Sequence, residues 1–162
     1  MIFVTVGSQK FQFNRLIKMV DDFIENGKIS DKEVIGQIGS CSYKPKNFTS
    51  KDFYEKSCMN ALYDRADIVI THGGTGSIIS ALDRNNKVIV VPREAACGEH
   101  VDNHQFQISK LFEELDYCVE ATDYESFSRG LDKVKEHEFN SFKSNNDIFF
   151  SNLINLINDE SV

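Results

Sequence analysis

The residues best suited to chemistry stand together at His72-Gly73-Gly74-Thr75-Gly76-Ser77. Ile68-Val69-Ile70-Thr71 before them reads as a short buried strand, and Ser77 to Arg84 after them has helical character. Strand, glycine turn and helix is a geometry that binds phosphate. The glycines let the backbone approach a ligand, and the first amides of a helix have no partner within it. The helix dipole adds partial positive charge at the same point, and Thr75 and Ser77 add hydroxyls.

Glycines alone are a weak signal, because a tight strand-to-helix turn with no ligand uses the same residues. Two familiar phosphate loops can be compared with the pattern. A Walker loop needs Gly-Lys-Ser/Thr, and that triplet does not occur. A dinucleotide fingerprint needs a third Gly or Ala in the first βα unit. Here Gly74-Thr75-Gly76 is followed by Ile79, late in the chain, although Glu94 lies about 20 residues on. A nicotinamide-binding enzyme is therefore disfavoured but stays open.

The elements that must position this turn follow from periodicity. Ile2 to Val6 is a β-branched and aromatic run ended by Gly7-Ser8, so it reads as a buried first strand. Phe13, Leu16, Ile17, Val20, Phe23 and Ile24 recur at helical spacing, with Gly27 at the expected C-terminal stop. Val34 to Gly39 reads as a second strand, and a short strand is expected near Asn47–Ser50. Met59, Leu62, Tyr63 and Ala66 suit a helix, and Lys87 to Pro92 another strand. Arg93 to His104 reads as a loop. Phe106 to Leu115 forms a helix and Tyr117 to Glu120 a last strand. Thr122 with Glu125 makes a capping box for a helix to about Glu136. A final helix is expected over about Asn146 to Asn158.

Strands alternating with helices predict an α/β fold, a Rossmann-like parallel sheet with helices on both faces. Ligands in such sheets sit at the carboxyl ends of the strands. That edge collects Gly7-Ser8, the loop after Gly39, His72 to Ser77, and the loop Arg93 to Gln105. The 162 residues fit a single domain, with 139–162 as a C-terminal helical tail.

Composition narrows the partners. A net charge of −7 argues against nucleic acid, which is held by clustered Lys and Arg, but a glycine turn can hold a small anion with amides alone. Cys41, Cys58, Cys97 and Cys118 form no CxxC pair, so neither a zinc site nor a redox dithiol is expected. With no run of 18 apolar residues and no leader-like start, the chain reads as cytoplasmic, without a membrane span of its own.

Three motifs in order, Thr71 to Ser77, Val90-Val91-Pro92-Arg93, and Gly98-Glu99-His100-Val101-Asp102-Asn103-His104-Gln105, make the chain resemble the C-terminal domain of glycosyltransferase family 28. The likeness extends to the short cytoplasmic subunit of two-piece bacterial capsule and exopolysaccharide transferases. It extends also to the catalytic subunit of the dolichol-linked N-acetylglucosaminyltransferase, and it runs from the first strand to about Glu120.

The resemblance implies the donor-binding, C-terminal half of a GT-B glycosyltransferase. By that likeness His72, Gly73, Gly74, Thr75, Gly76 and Ser77 contact the diphosphate of a UDP-sugar, and Gly7-Ser8 faces the same phosphates or the acceptor. Asn103, His104 and Gln105 meet the sugar, and Glu99 and His100 match the capsule-type members. Related transferases often hold the ribose with a carboxylate in the helix after the turn; Ser80 stands there, with Asp83 one turn on and Glu94 as another substitute.

No cofactor or metal is expected. The general base is expected on a membrane-anchored partner subunit, which binds a lipid-linked sugar acceptor at the inner face of the membrane. The donor implied by the capsule likeness is UDP-galactose or another UDP-hexose. A non-catalytic enhancer of a partner transferase is the alternative. Gly74→Val is expected to abolish UDP binding without unfolding the domain.

Overall fold

The computed structural model describes residues 1–29 and 34–143. Six parallel strands form one sheet: β1 (Ile2–Thr5), β2 (Val34–Gln37), β3 (Thr49–Lys51), β4 (Ile68–His72), β5 (Lys87–Val91) and β6 (Val119–Glu120). Their order is β3-β2-β1-β4-β5-β6. This is the doubly wound order, in which the chain runs outward from β1 in one direction and then, from β4, in the other. Thr5 pairs with Thr71, so β1 and β4 end side by side and the loops after them diverge to opposite faces.

Among the described residues five α-helices cover the sheet: α1 (Asn14–Glu25), α2 (Lys56–Arg65), α3 (Thr75–Leu82), α4 (His104–Glu114) and α5 (Tyr124–Glu136). Alternation along the strands builds two cores. Ile2, Val4, Ile70, Ile89 and Val91 meet Leu16, Ile17, Val20 and Phe23 of α1 and Phe127, Leu131 and Val134 of α5. Phe3, Val69, Val88 and Val90 point the other way, against Leu62 and Tyr63 of α2, Ile78 and Leu82 of α3, and Phe112 of α4. Strands buried on both faces read as continuous apolar runs, as β4 and β5 do.

The helix ends show which local readings needed adjustment. α1 stops as its sequence suggests. Gly27 takes φ +67, the Lys28 amide bonds to the Phe23 carbonyl at 2.9 Å, and the Gly27 amide to that of Ile24 at 3.0 Å. That is the Schellman arrangement. The capping box of α5 lies one residue beyond the expected pair. Asp123, in extended conformation, accepts the Ser126 amide at 2.7 Å, and the Ser126 hydroxyl accepts the Asp123 amide at 3.0 Å. The last strand is confined to Val119–Glu120. The expected helix over Asn146–Asn158 lies outside the described residues. Of the tail before it, Phe139 packs on the first core, and Phe142 stands edge-on to Tyr117 with ring centroids 5.3 Å apart. Among the described residues no helix is long and apolar enough to cross a membrane.

Candidate functional site

At the carboxyl edge of the sheet, where the strand order reverses, a cleft of about 540 Å³ opens. Its floor is the end of β1, the turn after β4 and the first turn of α3. Thr5, Gly7, Ser8, His72, Gly74, Gly76, Ser77 and Ser80 line it on that side. β4 runs one residue further than expected, through His72, and α3 starts at Thr75, two residues earlier. Gly74, extended at φ −78 and ψ 121, is the N-cap and provides no side-chain hydrogen bond. The first bonds back into the helix come from Ser77 and Ile78, both to the Gly74 carbonyl. The amides of Thr75 and Gly76 precede them, at the positive end of the helix.

The glycines have separate reasons. A Cβ built on Gly7 would meet His72 Cε1 at 2.6 Å, and one on Gly74 would meet His72 Nε2 at 2.3 Å. The imidazole is thus clamped between two Cα atoms. A Cβ on Gly73 would strike Gln105 Cβ at 2.7 Å. At Gly76 nothing lies within 4 Å of the added atom. Of the four glycines at the two turns, Gly76 alone has open space where a side chain would go, and it lines the cleft. The expectation that Gly74→Val leaves the domain intact is therefore corrected: the new side chain would collide with a buried imidazole.

His72 is a packed residue as well as a lining one. Burial, helped by the positive charge of Arg93, pushes its pKa down to about 4, against a hydrogen bond to the Thr5 backbone that favours the charged form. The Thr71 hydroxyl is 3.3 Å from Nδ1. At neutral pH the ring is uncharged and acts on an anion as a dipole.

The remaining expected residues fall into two groups. Ser80 lines the cleft, but its hydroxyl donates to the Gly76 carbonyl at 2.7 Å. Thr75 starts α3, and Ser77 meets the Tyr63 hydroxyl. Gln105 is buried; its Oε1 accepts the amides of Gly73 at 3.0 Å and Arg93 at 3.2 Å, joining the two loops. Glu99, His100, Asn103 and His104 do not line the cleft. Glu99 is 1% exposed and takes Arg15 bidentately, at 3.1 and 2.9 Å. His100 lies 3.0 Å from the Asp102 carboxylate. Asn103 accepts the Ala95 amide, and the exposed His104 faces Gln107. Glu94 turns toward Arg15 at 3.6 Å, and Asp83 sits at the far end of α3.

The other wall was not foreseen. Gln37, Tyr54, Lys56, Met59, Asn60 and Tyr63 line it. Gln37 bridges two loops, donating to the Gly7 carbonyl at 3.2 Å and accepting the Tyr54 amide at 3.0 Å. A polar side chain at the end of an apolar strand was the available signal for Gln37. Lys56 and Asn60 lie on a helix that no motif marks. Among the described residues no carboxylate lines the cleft, and Lys56 brings a positive charge to it.

Comparison with known proteins bears on the family and the fold. The sequence model of the glycosyltransferase family 28 C-terminal domain matches residues 1–157. The UDP-N-acetylglucosamine transferase subunit ALG13 of Candida albicans is 32% identical over 146 residues, covering 90% of this chain and 45% of that protein. The mouse protein of the same name is 30% identical over 72% of this chain and 10% of its own length. The chain thus spans less than half the length of these relatives. In fold it is similar to an NMR structure of ALG13, with a TM-score of 0.64 at 23% identity over 94% of this chain and 93% of the other. It is similar also to Acinetobacter baumannii MurG, with a TM-score of 0.53 at 14% identity over 96% of this chain and 49% of MurG. With three motifs, the doubly wound sheet and a family match over nearly its whole length, this chain belongs to the glycosyltransferase family 28 C-terminal domain family.

Proposed function

We propose that this chain is the donor-binding subunit of a two-component inverting glycosyltransferase, holding a UDP-sugar with its diphosphate over the first turn of α3. The observation that carries the reading is the open space at Gly76, on a helix N-terminus that floors a carboxylate-free cleft at the switch point of the sheet. In glycosyl transfer the bond between the anomeric carbon and the diphosphate oxygen breaks, and negative charge grows on the leaving group. Fixed amide dipoles aimed at that oxygen stabilise the transition state without reorganisation. The acceptor hydroxyl must lose a proton. We assign that base, with the lipid-linked acceptor site and the membrane anchor, to a partner subunit, which places this chain at the cytoplasmic face.

The names of the relatives favour N-acetylglucosamine as the transferred sugar, and none of the comparisons lends support to galactose or to capsule synthesis. The test begins with calorimetry of the purified chain against UDP, UDP-N-acetylglucosamine and UDP-galactose. Binding of UDP is expected, with transfer to a lipid-linked acceptor only after an acceptor-binding partner is added. Absence of heat with every nucleotide would favour the enhancer reading, and efficient transfer by the chain alone would overturn the split site.

A further inference from the structure

The largest wholly buried side chain of the described structure is a cation, Arg93. Its guanidinium donates to backbone carbonyls: Nη1 to Phe11, Gln12 and Glu99 at 3.3, 3.0 and 2.9 Å, and Nη2 to Val6 at 2.7 Å. It lies over the Phe13 ring, 4.8 Å from the centroid. Nε has no hydrogen-bond partner among the described residues. The neighbouring carboxylate is committed elsewhere: Glu99 gives both oxygens to Arg15 and takes the Glu94 amide at 2.9 Å. Arg15 is shared further with the part-exposed Glu94. Arg93 therefore keeps a full charge, which a guanidinium cannot shed, without a contacting counter-ion among the described residues.

Its position gives that charge a use. Nη2 holds the carbonyl of Val6, directly before Gly7, and the Arg93 amide shares Gln105 Oε1 with the Gly73 amide. The guanidinium thus sits behind the Gly7 turn, and the Arg93 backbone is tied through Gln105 to the turn that follows His72.

We propose that Arg93 is a positioning residue whose buried charge is the built-in counter-charge of the anion site, pinning the Gly7 turn through its carbonyls and favouring a diphosphate on the other side of it. This rests on the diphosphate reading and adds its electrostatic source. The field of Arg93 already reaches His72, where it disfavours a proton. The other groups facing that ring are the Thr5 backbone, the Thr71 hydroxyl, Gly7, Gly74 and, among charges, His100.

The test uses the full chain, with UDP and uridine titrated in parallel so that the phosphate contribution is read as a ratio. Arg93→Met should cut UDP affinity about tenfold or more, as expected for a buried charge acting across a turn, and leave uridine unchanged. Arg93→Lys should recover part of the loss. Glu99→Gln removes the negative charge beside Arg93 and should tighten UDP several-fold, so the inference stays testable even where Arg93→Met does not fold.

Equal losses for UDP and uridine in Arg93→Met, or an unchanged or weakened UDP affinity in Glu99→Gln, would overturn it. A separate readout needs no ligand: the NMR titration of His72 should move upward in Arg93→Met, and an unmoved titration in the folded variant refutes the field argument. Wild-type chain that binds UDP no better than uridine would instead overturn the diphosphate reading, with the His72 titration still deciding whether the charge of Arg93 reaches the turn.

Discussion

Substituting Gly76 should separate stability from binding. Gly76 stands in the first turn of α3 with no positive φ and with open space where a Cβ would go. Alanine there meets nothing within 4 Å among the described residues, and it loses less backbone entropy on folding than glycine does. The helix gains up to about 1 kcal/mol. For a chain of this size that is a rise of about 1–4 °C in Tm. The same methyl group occupies the volume over the helix N-terminus. A phosphate displaced from it loses one or two charge-assisted amide bonds of about 1.5–3 kcal/mol each, so UDP affinity should fall at least tenfold. Gly76→Leu should fill the space further and abolish binding.

Gly74→Ala is the contrasting control. Its Cβ would stand 2.3 Å from the buried His72 ring, and overpacking of that kind costs about 1–3 kcal/mol. It should lower Tm by several degrees. Scanning calorimetry and UDP titration of the three variants check both quantities. UDP binding undiminished in Gly76→Ala would refute the placement of the diphosphate, and a Gly74→Ala protein as stable as wild type would refute the clamp on His72.

His72 also makes stability pH-dependent. Its folded pKa, about 4, lies below the unfolded value near 6.5. The unfolded chain therefore takes up a proton first as pH falls. Stability contributed by neutral His72 is complete above about pH 6.5 and is lost down to about pH 4, to a total of about 3 kcal/mol. Urea titrations across that range should show a slope that His72→Gln flattens. Asp21, 2% exposed, accepts the amides of Lys46 and Asn47 and the Tyr43 hydroxyl, tying the β2–β3 loop to α1. That hydrogen bond, with burial, raises the Tyr43 pKa to about 12. Asp21→Asn should return the phenol toward 10 in a spectrophotometric titration and cost about 1–3 kcal/mol in unfolding free energy. Lys56→Ala should weaken UDP several-fold at low salt and less at high salt, since the lysine is exposed to screening; an affinity insensitive to the change would remove Lys56 from the site.

Much of the sheet was legible from residue patterns alone. Ile68–Ile70 and Val88–Val91 are apolar without alternation because both faces of their strands are covered, and that pattern needs no knowledge of neighbours. Gly7 and the turn at 73–76 were legible as close-approach points because glycine at a strand end permits tight turns and close packing, but that signal does not say what approaches. What only the tertiary structure decided is the purpose of each glycine. Gly7 and Gly74 make room for the His72 ring, whereas Gly76 leaves open space in the cleft, a distinction set by a side chain's direction in space rather than by spacing along the chain. Gln37, Tyr54 and Lys56 joined the cleft because β2 lies beside β1 and β3 beside β2, pairings no local pattern records. The counter-charge under the turn was hidden for the same reason: Arg93 reads as a loop cation until the fold closes Val6, Phe11, Gln12 and Glu99 around it.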